Sequence, residues 1–448
     1  MRNNLKFVLV ILFFVSITLS AQEQPEPKIL TLQDAINIAL DENWDVKLAE
    51  KDIQKAEEQI SEAYANVFPR IDLSTSYIRY IKMPVMFIPP HTPMFNESDK
   101  TITFSLGSDN AYDATISLNQ VIYSQKVNTA IEIANEYSEL SKTASRGTRN
   151  DIVLSVKKAF YQVLLMQKLV LVSKEGNAVA KANYDNVAAL FKQGVASEYD
   201  FLRAEVQLAN TQPMLIQMEN NLELSKNYLK SLLSLDISKP IEIKGDFVFE
   251  EIPSETVESA NLAGTTNHPL VLQLAIQSSL LEKNIEIQRA DYFPTLAFFG
   301  QYSFQTQDNT FKFKDYLWAK TFMVGLNLSY TLFDGFSRSA RIEQATIDRD
   351  KVDLTKRKVE EGIKILTIQS KMKMDEAKKR IDAQDKSLEQ AEKALKISQS
   401  RYKNGVGTQL ELIDTQAAMT IAQTNHAQAI YDYLCAKADW ENAVSLEQ

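Results

Sequence analysis

Cysteine and histidine are rare in this sequence. Its 448 residues include one cysteine, Cys435, and three histidines, His91, His268 and His426. A single cysteine forms no internal disulfide, and the histidines do not show metal-ligand spacing. The sequence contains neither a G-x-x-x-x-G-K-[ST] phosphate loop nor a G-x-S-x-G nucleophile elbow. We therefore expect a protein that is not an enzyme and that carries no cofactor and no metal.

Long apolar runs are lacking after the N-terminus. No later segment reaches 18 consecutive apolar residues, which excludes a bundle of transmembrane helices but not a β-barrel, whose strands are short. Segment 1–21 has basic residues at its start, an apolar centre and small residues at its end, and this pattern predicts a secretory signal peptide rather than an uncleaved anchor. The net charge of −9 argues against nucleic acid as a partner.

Glycine and proline are scarce where two long helices are expected. Residues 125–191 contain two glycines and no proline, and residues 337–402 contain one glycine and no proline. At about 1.5 Å per residue, each helix would extend roughly 100 Å. Apolar residues repeat in a coiled-coil pattern, which predicts seams that pack against neighbouring helices. One seam steps by four and three through Ile152, Val156, Ala159, Val163, Met166 and Val170, and another steps by seven through Ile381, Leu388, Leu395 and Tyr402.

The two halves of the chain repeat one pattern. Three matches occur in the same order: residues 63–77 with 288–302, residues 117–130 with 327–340, and a Gly-Val break at Gly194 with another at Gly405. Such a series indicates a tandem duplication, which should be sought before any other organisation. Each copy reads as helix, Phe-Pro, strand, loop, strand, long helix, Gly-Val turn and helix. Glycine tolerates the positive φ that ends a helix in a tight turn, and Ser197 and Thr408 are placed to cap the returning helices.

The expected strands alternate between apolar and polar residues. In the last of them, one face carries Phe322, Val324, Leu326, Leu328, Tyr330 and Leu332, while the other carries Met323, Gly325, Asn327, Ser329 and Thr331. Strands of about ten residues with this alternation suit a transmembrane barrel, although a half-buried sheet of a soluble protein shares the pattern. Segments 81–110 and 304–320 read as irregular, exposed loops. Four strands cannot close a barrel, so a membrane-spanning chain must form a symmetric oligomer.

The whole pattern resembles the TolC family of outer-membrane efflux proteins. The stretches that carry the resemblance are "LTLQDAINIALDEN" (30–43), the two Phe-Pro entries into strands, "LFDGFSRSARIEQA" (332–345) and "YKNGVGTQLELID" (402–414). The resemblance implies a mainly α fold with a β-barrel portion: duplicated helical hairpins form a trimeric α-barrel tunnel, and four strands per chain build a 12-stranded transmembrane β-barrel. It also implies an outer-membrane location that extends into the periplasm, in contact with outer-membrane lipid.

The resemblance further implies a passive exit duct of a tripartite efflux or type I secretion system. Such a homotrimer would be opened by a periplasmic adaptor (membrane fusion protein) and an inner-membrane transporter, and would export small molecules or polypeptides. The implied organisation is a signal peptide at 1–21, a first repeat at 22–234, an equatorial linker at 235–268 that includes a candidate short strand, and a second repeat at 269–448. Strands are expected near 70–80, 112–123, 295–304 and 321–333, and turns near 194 and 405.

Two sets of site residues follow from the resemblance. The turns at the helix tips would contact the adaptor through Gly194, Val195, Ala196, Ser197, Gly405, Val406, Gly407 and Thr408. An entrance gate would be formed by Glu411 and Asp414, which share one helix face at i, i+3 spacing, together with Asp200 and Tyr402. Gly407 stands where the family has a basic residue of the closed-state latch.

Two other interpretations of the residues stay open at this point. One is a secreted coiled-coil structural or adhesion protein in which the strands form a soluble tip. The other is a periplasmic adaptor, which fits less well because adaptors have one helical hairpin whereas this chain has two.

Overall fold

The computed structural model describes residues 28–252 and 267–445. The predicted signal peptide and residues 253–266 of the predicted linker lie outside these ranges. The chain forms two compact units. The first comprises the segment that ends at Asn43 together with Val153–Glu250 and Met374–Cys435, and the second comprises Trp44–Ile152, Glu251–Lys373 and the segment from Ala436. Each unit therefore contains residues of both repeats.

Helices make up most of the described chain. They are α1 (Leu32–Glu42), α2 (Trp44–Ala65), α3 (Gln125–Lys192), α4 (Glu198–Leu232), α5 (Pro269–Arg289), α6 (Ser337–Lys403) and α7 (Gln409–Ala443). The two long helices, α3 and α6, have 68 and 67 residues, and both follow the predicted glycine-poor segments to within one residue. Over the two described ranges, no helix is both long enough and apolar enough to cross a membrane.

The core of the first unit follows a buried seam of α3, with further buried residues from α4 and α7. Val156, Val163 and Leu229 are fully buried, and the predicted seam of α3 is buried except at Met166, which is half-buried. The predicted seam of α6 is buried at Ile381 and half-buried at its other three positions. The short strand considered in the linker is present as β6 (Ile241–Ile243), which pairs in parallel with β1 (Lys28–Leu30).

The second unit contains a four-stranded antiparallel sheet. Its strands are β2 (Arg70–Arg79), β5 (Asn110–Tyr123), β7 (Thr295–Asp308) and β8 (Ala319–Ser329), in the spatial order β2-β5-β7-β8. All four lie where the alternation predicts strands, but β7 extends four residues further than expected and β8 ends four residues earlier. Segment 81–110 was expected to be irregular, and this was wrong in part. Val85–Ile88 (β3) and Ile102–Ser105 (β4) pair as a hairpin, because both segments are rich in the apolar residues that favour strands.

The two faces of this sheet differ in character, as the alternation predicts. Paired residues of an antiparallel sheet lie on the same face, so the register that joins Tyr302 to both Ile116 and Phe322 defines one apolar face. This face is exposed: Phe322 is 72% accessible and Leu326 is 65% accessible. On the opposite, polar face, Thr115 and Ser303 form a hydroxyl–hydroxyl hydrogen bond of 2.9 Å.

Candidate functional site: the two helix turns and the carboxylates beside them

The turn that ends α3 is a Schellman motif. Gly194 has φ +74°, its N–H donates to the carbonyl of Phe191 at 2.9 Å, and the N–H of Val195 donates to the carbonyl of Leu190 at 2.9 Å. These two bonds satisfy carbonyl groups that a helix end otherwise leaves without partners. The sequence prediction of a glycine-terminated helix is confirmed here.

The turn that ends α6 repeats this geometry. Gly405 has φ +72°, its N–H donates to Tyr402 at 3.0 Å, and the N–H of Val406 donates to Arg401 at 3.0 Å. The two Gly-Val breaks recognised in the sequence are therefore equivalent turns with equivalent hydrogen bonds.

Both predicted caps of the returning helices are in place. The hydroxyl of Ser197 accepts a hydrogen bond from the N–H of Asp200 at 3.1 Å and donates to its carboxylate at 2.7 Å. The hydroxyl of Thr408 accepts from the N–H of Glu411 at 3.2 Å. Each cap satisfies one of the N–H groups at the start of a helix. Each cap thus orders the backbone at the first turn of a returning helix, and in the first repeat it also holds the carboxylate of Asp200.

Each turn presents one large apolar side chain to solvent. Val195 is 72% accessible and Val406 is 67% accessible. Ala196 and Gly407, the residues that follow them, are half-buried. Both valines are therefore apolar side chains that no described residue covers.

Gly407 is required by a close approach of the backbone. A Cβ atom at this position would lie 2.9 Å from the Cβ of Arg401 and 3.0 Å from the backbone nitrogen of Tyr402. The position therefore cannot carry the basic side chain that the family resemblance led us to look for.

Arg401, which the sequence reasoning missed, lies beside Glu411, a predicted gate residue. Its Nε atom is 3.6 Å from Oε2 of Glu411, and its Nη2 donates to the carbonyl of Val406 at 3.1 Å. The sequence does contain a signal for this contact: Arg401 lies four residues before Gly405, in the last turn of α6. From there its side chain can reach the residues that follow the helix.

The remaining predicted gate residues lie on the two returning helices and at the end of α6. Asp414 is exposed one helical turn beyond Glu411. Tyr402 is half-buried, and burial, helped by the negative charge of Asp200, raises the pKa of its phenol. The first repeat has Arg203 at the position equivalent to Asp414, so paired carboxylates occur in the second repeat only.

The two hairpins are closed by different contacts. In the first, Phe191 stacks on Phe201 with ring centroids 5.1 Å apart. In the second, the hydroxyls of Ser398 and Thr415 are 2.5 Å apart, and the Arg401–Glu411 pair lies nearer the turn. In the part of the chain that the structure describes, no three histidine, cysteine, aspartate or glutamate side chains gather as a metal site.

Comparisons with known proteins agree with this architecture. The family model for outer membrane efflux proteins matches residues 35–234 and 265–443. The match covers most of the chain, so the chain belongs to the outer membrane efflux protein family. This membership confirms the TolC-family resemblance, the outer-membrane location and the expected class of function, an outer-membrane exit duct. It decides against a secreted coiled-coil adhesion protein, and it places the chain in a family of channel proteins.

Individual relatives are distant in sequence. The alkaline protease secretion protein AprF of Pseudomonas aeruginosa is 21% identical over 353 residues, which are 76% of this chain and 72% of AprF. The outer membrane protein TolC of Vibrio cholerae is 21% identical over 237 residues, so that 52% of this chain matches 53% of TolC. The CmeC outer membrane channel of Campylobacter jejuni has a similar structure, with a TM-score of 0.74 at 17% identity over 92% of this chain and 85% of CmeC. The helical fold with a strand portion is therefore that of known channels.

Proposed function

We propose that the chain assembles as a homotrimer that forms a passive exit duct for a tripartite efflux or type I secretion system. The proposal rests on the unpaired edges and the exposed apolar face of the four-stranded sheet within the described residues. Its outer strands β2 and β8 each have one neighbouring strand within the described residues, and its apolar face is exposed. Three such sheets, joined β8 to β2, give a closed 12-stranded barrel in which no strand edge meets lipid.

Aromatic residues at both ends of the sheet support its placement in a bilayer. Near the helices, Phe68, Phe293, Phe333 and Phe336 are exposed. Towards the β7–β8 loop, Tyr77 stacks on Tyr112 with centroids 4.8 Å apart. Barrels in the outer membrane carry aromatic girdles on both sides of an apolar band. The exposed band between these two ends is formed by Leu73, Ile116, Val324 and Leu326.

The helices also carry apolar surface that needs a partner. On α4 the exposed apolar side chains include Tyr199, Leu202 and Val206, which follow a three-four spacing. On α6, Ile365, Ile368 and Met372 follow the same spacing. Exposed seams of this kind are characteristic of helices that pack against another helix. In the proposed trimer these seams face neighbouring subunits and form the tunnel wall in the periplasm.

The duct proposal is tested by isolating the protein from membranes in mild detergent and measuring its size and its conductance in planar bilayers. We expect a trimer that inserts and conducts ions. A stable monomer that forms no conducting pores would overturn the proposal.

The turns are proposed as the contact with a periplasmic adaptor, through Gly194, Val195, Ala196, Ser197, Gly405, Val406, Gly407 and Thr408. Exposed Val195 and Val406 on rigid turns support this assignment. A Val406→Cys variant in a Cys435→Ser background should crosslink to the coexpressed adaptor. A cysteine at exposed Lys358 of α6 is the matched control. Equal crosslinking at both positions would contradict the assignment.

The gate is proposed to consist of Glu411, Asp414, Asp200 and Tyr402. In a trimer, Glu411 and Asp414 supply six carboxylates to the entrance, which would attract cations. Replacing both residues (Glu411→Gln with Asp414→Asn) should weaken the block of the pore by divalent cations in planar bilayers. Block of unchanged strength would refute the gate.

A further inference from the structure

The loop that joins β7 to β8 folds back onto the apolar face of the sheet. The ring of Tyr112 in β5 lies 5.6 Å from that of Phe313 and 5.7 Å from that of Tyr316. Next to them, Trp318 stacks on Phe304 with centroids 4.5 Å apart and planes within 7°. Tyr316 is buried, and its hydroxyl donates to the carbonyl of Thr310. The loop is therefore held by its own aromatic cluster.

The strand register shows which face this cluster occupies. Tyr77 is paired with Tyr112, and Phe304 is paired with Lys320. Lys320 is two residues from Phe322, so all four lie on the face that we propose contacts lipid. The cluster marks the end of that face opposite the helices, where the proposed barrel reaches the outer surface of the membrane.

Basic side chains alternate with these rings. The guanidinium of Arg79 lies 5.4 Å from the ring centre of Phe311, and the ammonium of Lys320 lies 5.7 Å from that of Phe304. Lys312 and Lys314 are exposed between the aromatic residues of the loop. Lysine and arginine in such places lay their apolar stems along the rings and extend the charge towards water.

The acidic residues of this loop, which lies within the described chain, are not paired with these cations. Asp308 accepts hydrogen bonds from the backbone and hydroxyl of Thr310 at 2.7 and 2.8 Å. The only other carboxylate of the loop is Asp315. Within the described residues, none of the four cations forms an ion pair with a carboxylate.

The helix end of the sheet is built differently. There Asp291 lies 2.5 Å from Lys126 and 3.0 Å from Arg341, and Asp334 lies 3.1 Å from Arg338. These three cations each form an ion pair with one of two carboxylates of the same chain. The basic residues around the β7–β8 loop thus differ from those at the helix end in having no ion-pair partner among the described residues.

We propose that Arg79, Lys312, Lys314 and Lys320, with the aromatic cluster beneath them, bind the phosphate groups of an anionic lipid of the outer leaflet. This inference rests on the proposed function, because it requires the apolar face to lie in a bilayer. The acyl chains pack along the apolar face, the rings lie at the boundary, and the cations reach the headgroup phosphates. A basic segment beside a membrane is attracted to anionic lipid by an amount that corresponds to about fivefold per residue.

Trp318 provides a probe inside the proposed site. The protein is reconstituted in vesicles in which either a phosphomonoester-bearing anionic lipid or a zwitterionic lipid carries bromine on its acyl chains. Bromine quenches tryptophan at short range, so the ratio of the two quenching levels measures which lipid lies beside the loop. A Trp318→Phe variant keeps a ring against Phe304 and supplies the background from the other two tryptophans.

The matched variants are Lys312→Gln with Lys314→Gln, and Lys82→Gln with Lys100→Gln. Both pairs remove two exposed lysines from segments at this end of the sheet, but only the first lies on the aromatic loop. We expect wild type to prefer the anionic lipid, the first pair to reduce that preference by about 25-fold, and the second pair to leave it unchanged.

Each other outcome has a distinct meaning. If wild type inserts and conducts but shows no preference, the lipid site is refuted and the duct stands. If the first pair keeps the full preference, or instead impairs trimer formation, the loop contacts something other than lipid and the proposal is wrong. If the protein does not insert at all, the proposed function fails together with this inference.

Discussion

Arg401 is expected to weaken the proposed acidic gate by neutralising one of its carboxylates, Glu411. Its Nε atom lies 3.6 Å from Glu411, and the two side chains are 51% and 48% accessible. Replacing arginine by glutamine (Arg401→Gln) keeps a polar side chain of similar reach but removes the charge. The variant should therefore free Glu411 to interact with cations in the pore entrance.

The size of the effect follows from the exposure of the pair. Half-exposed ion pairs contribute about 0.2–1 kcal/mol each. If the three pairs of a trimer act on one bound cation, their loss would change the free energy of cation binding by about 1–2 kcal/mol. A change of about 1.4 kcal/mol corresponds to a tenfold change in affinity. We expect block by a divalent cation to become about tenfold stronger, and the difference should shrink at high salt because exposed charges are screened.

The assay is single-channel conductance in planar bilayers, with the cation added on the side of the helix turns. Lys403→Gln is the matched control, because it removes one positive charge two residues away on the same helix. If both variants strengthen block equally, the effect is general electrostatics and the specific pairing of Arg401 with Glu411 is refuted. If Arg401→Gln weakens block, the reasoning has the wrong sign.

Three further predictions concern stability, each measured by thermal unfolding of the detergent-solubilised protein. Gly325→Ala should destabilise the protein by about 1 kcal/mol or more, because the new Cβ would lie 2.8 Å from the ring of Phe299. At Gly300 the new Cβ would have its nearest contact at 3.7 Å, so Gly300→Ala should destabilise the protein less. Equal destabilisation by the two variants would contradict this reasoning. Gly405→Ala should destabilise the protein by about 1 kcal/mol, since only glycine adopts φ +72° without strain. Gly362→Ala lies inside α6 with open space around it and should stabilise the protein by about the same amount. A Gly405→Ala variant of unchanged stability would show that the turn rearranges. Burial acts to raise the pKa of Asp334, but the backbone N–H and the guanidinium of Arg338 outweigh it and hold the pKa below its usual value. The ionised carboxylate therefore stabilises the fold at pH values above its unfolded pKa. This contribution is lost as the pH falls through the lower folded pKa. Asp334→Asn should therefore melt below wild type at neutral pH, and the gap should close on strong acidification; a constant gap would refute the pairing.

The long helices and their turns illustrate what local sequence can determine. A helix continues until a residue stops it, so the near absence of glycine and proline between Gln125 and Lys192 predicts the helix almost to its last residue. The Schellman turns at Gly194 and Gly405 and the cap at Ser197 follow from residues adjacent in sequence. The alternation that located the strands is likewise a local property.

The contacts beside the proposed gate could not be predicted from local sequence. The family resemblance leads one to expect a basic latch residue at position 407, which is a glycine here. The positive charge near Glu411 instead comes from Arg401, on the other side of the turn. Whether that side chain reaches the carboxylate depends on the angle at which two helices meet. No spacing rule within one helix supplies that angle.

The sequence by itself determined the duplication, the lengths of the helices, the positions of the turns and the two-faced strands, because each depends on the preferences of neighbouring residues. Only the tertiary structure decided the strand order β2-β5-β7-β8, the β3–β4 hairpin and the packing of Phe313 and Tyr316 on Tyr112. These features join residues far apart in the chain, and their free energies come from surfaces that exist only once the segments meet.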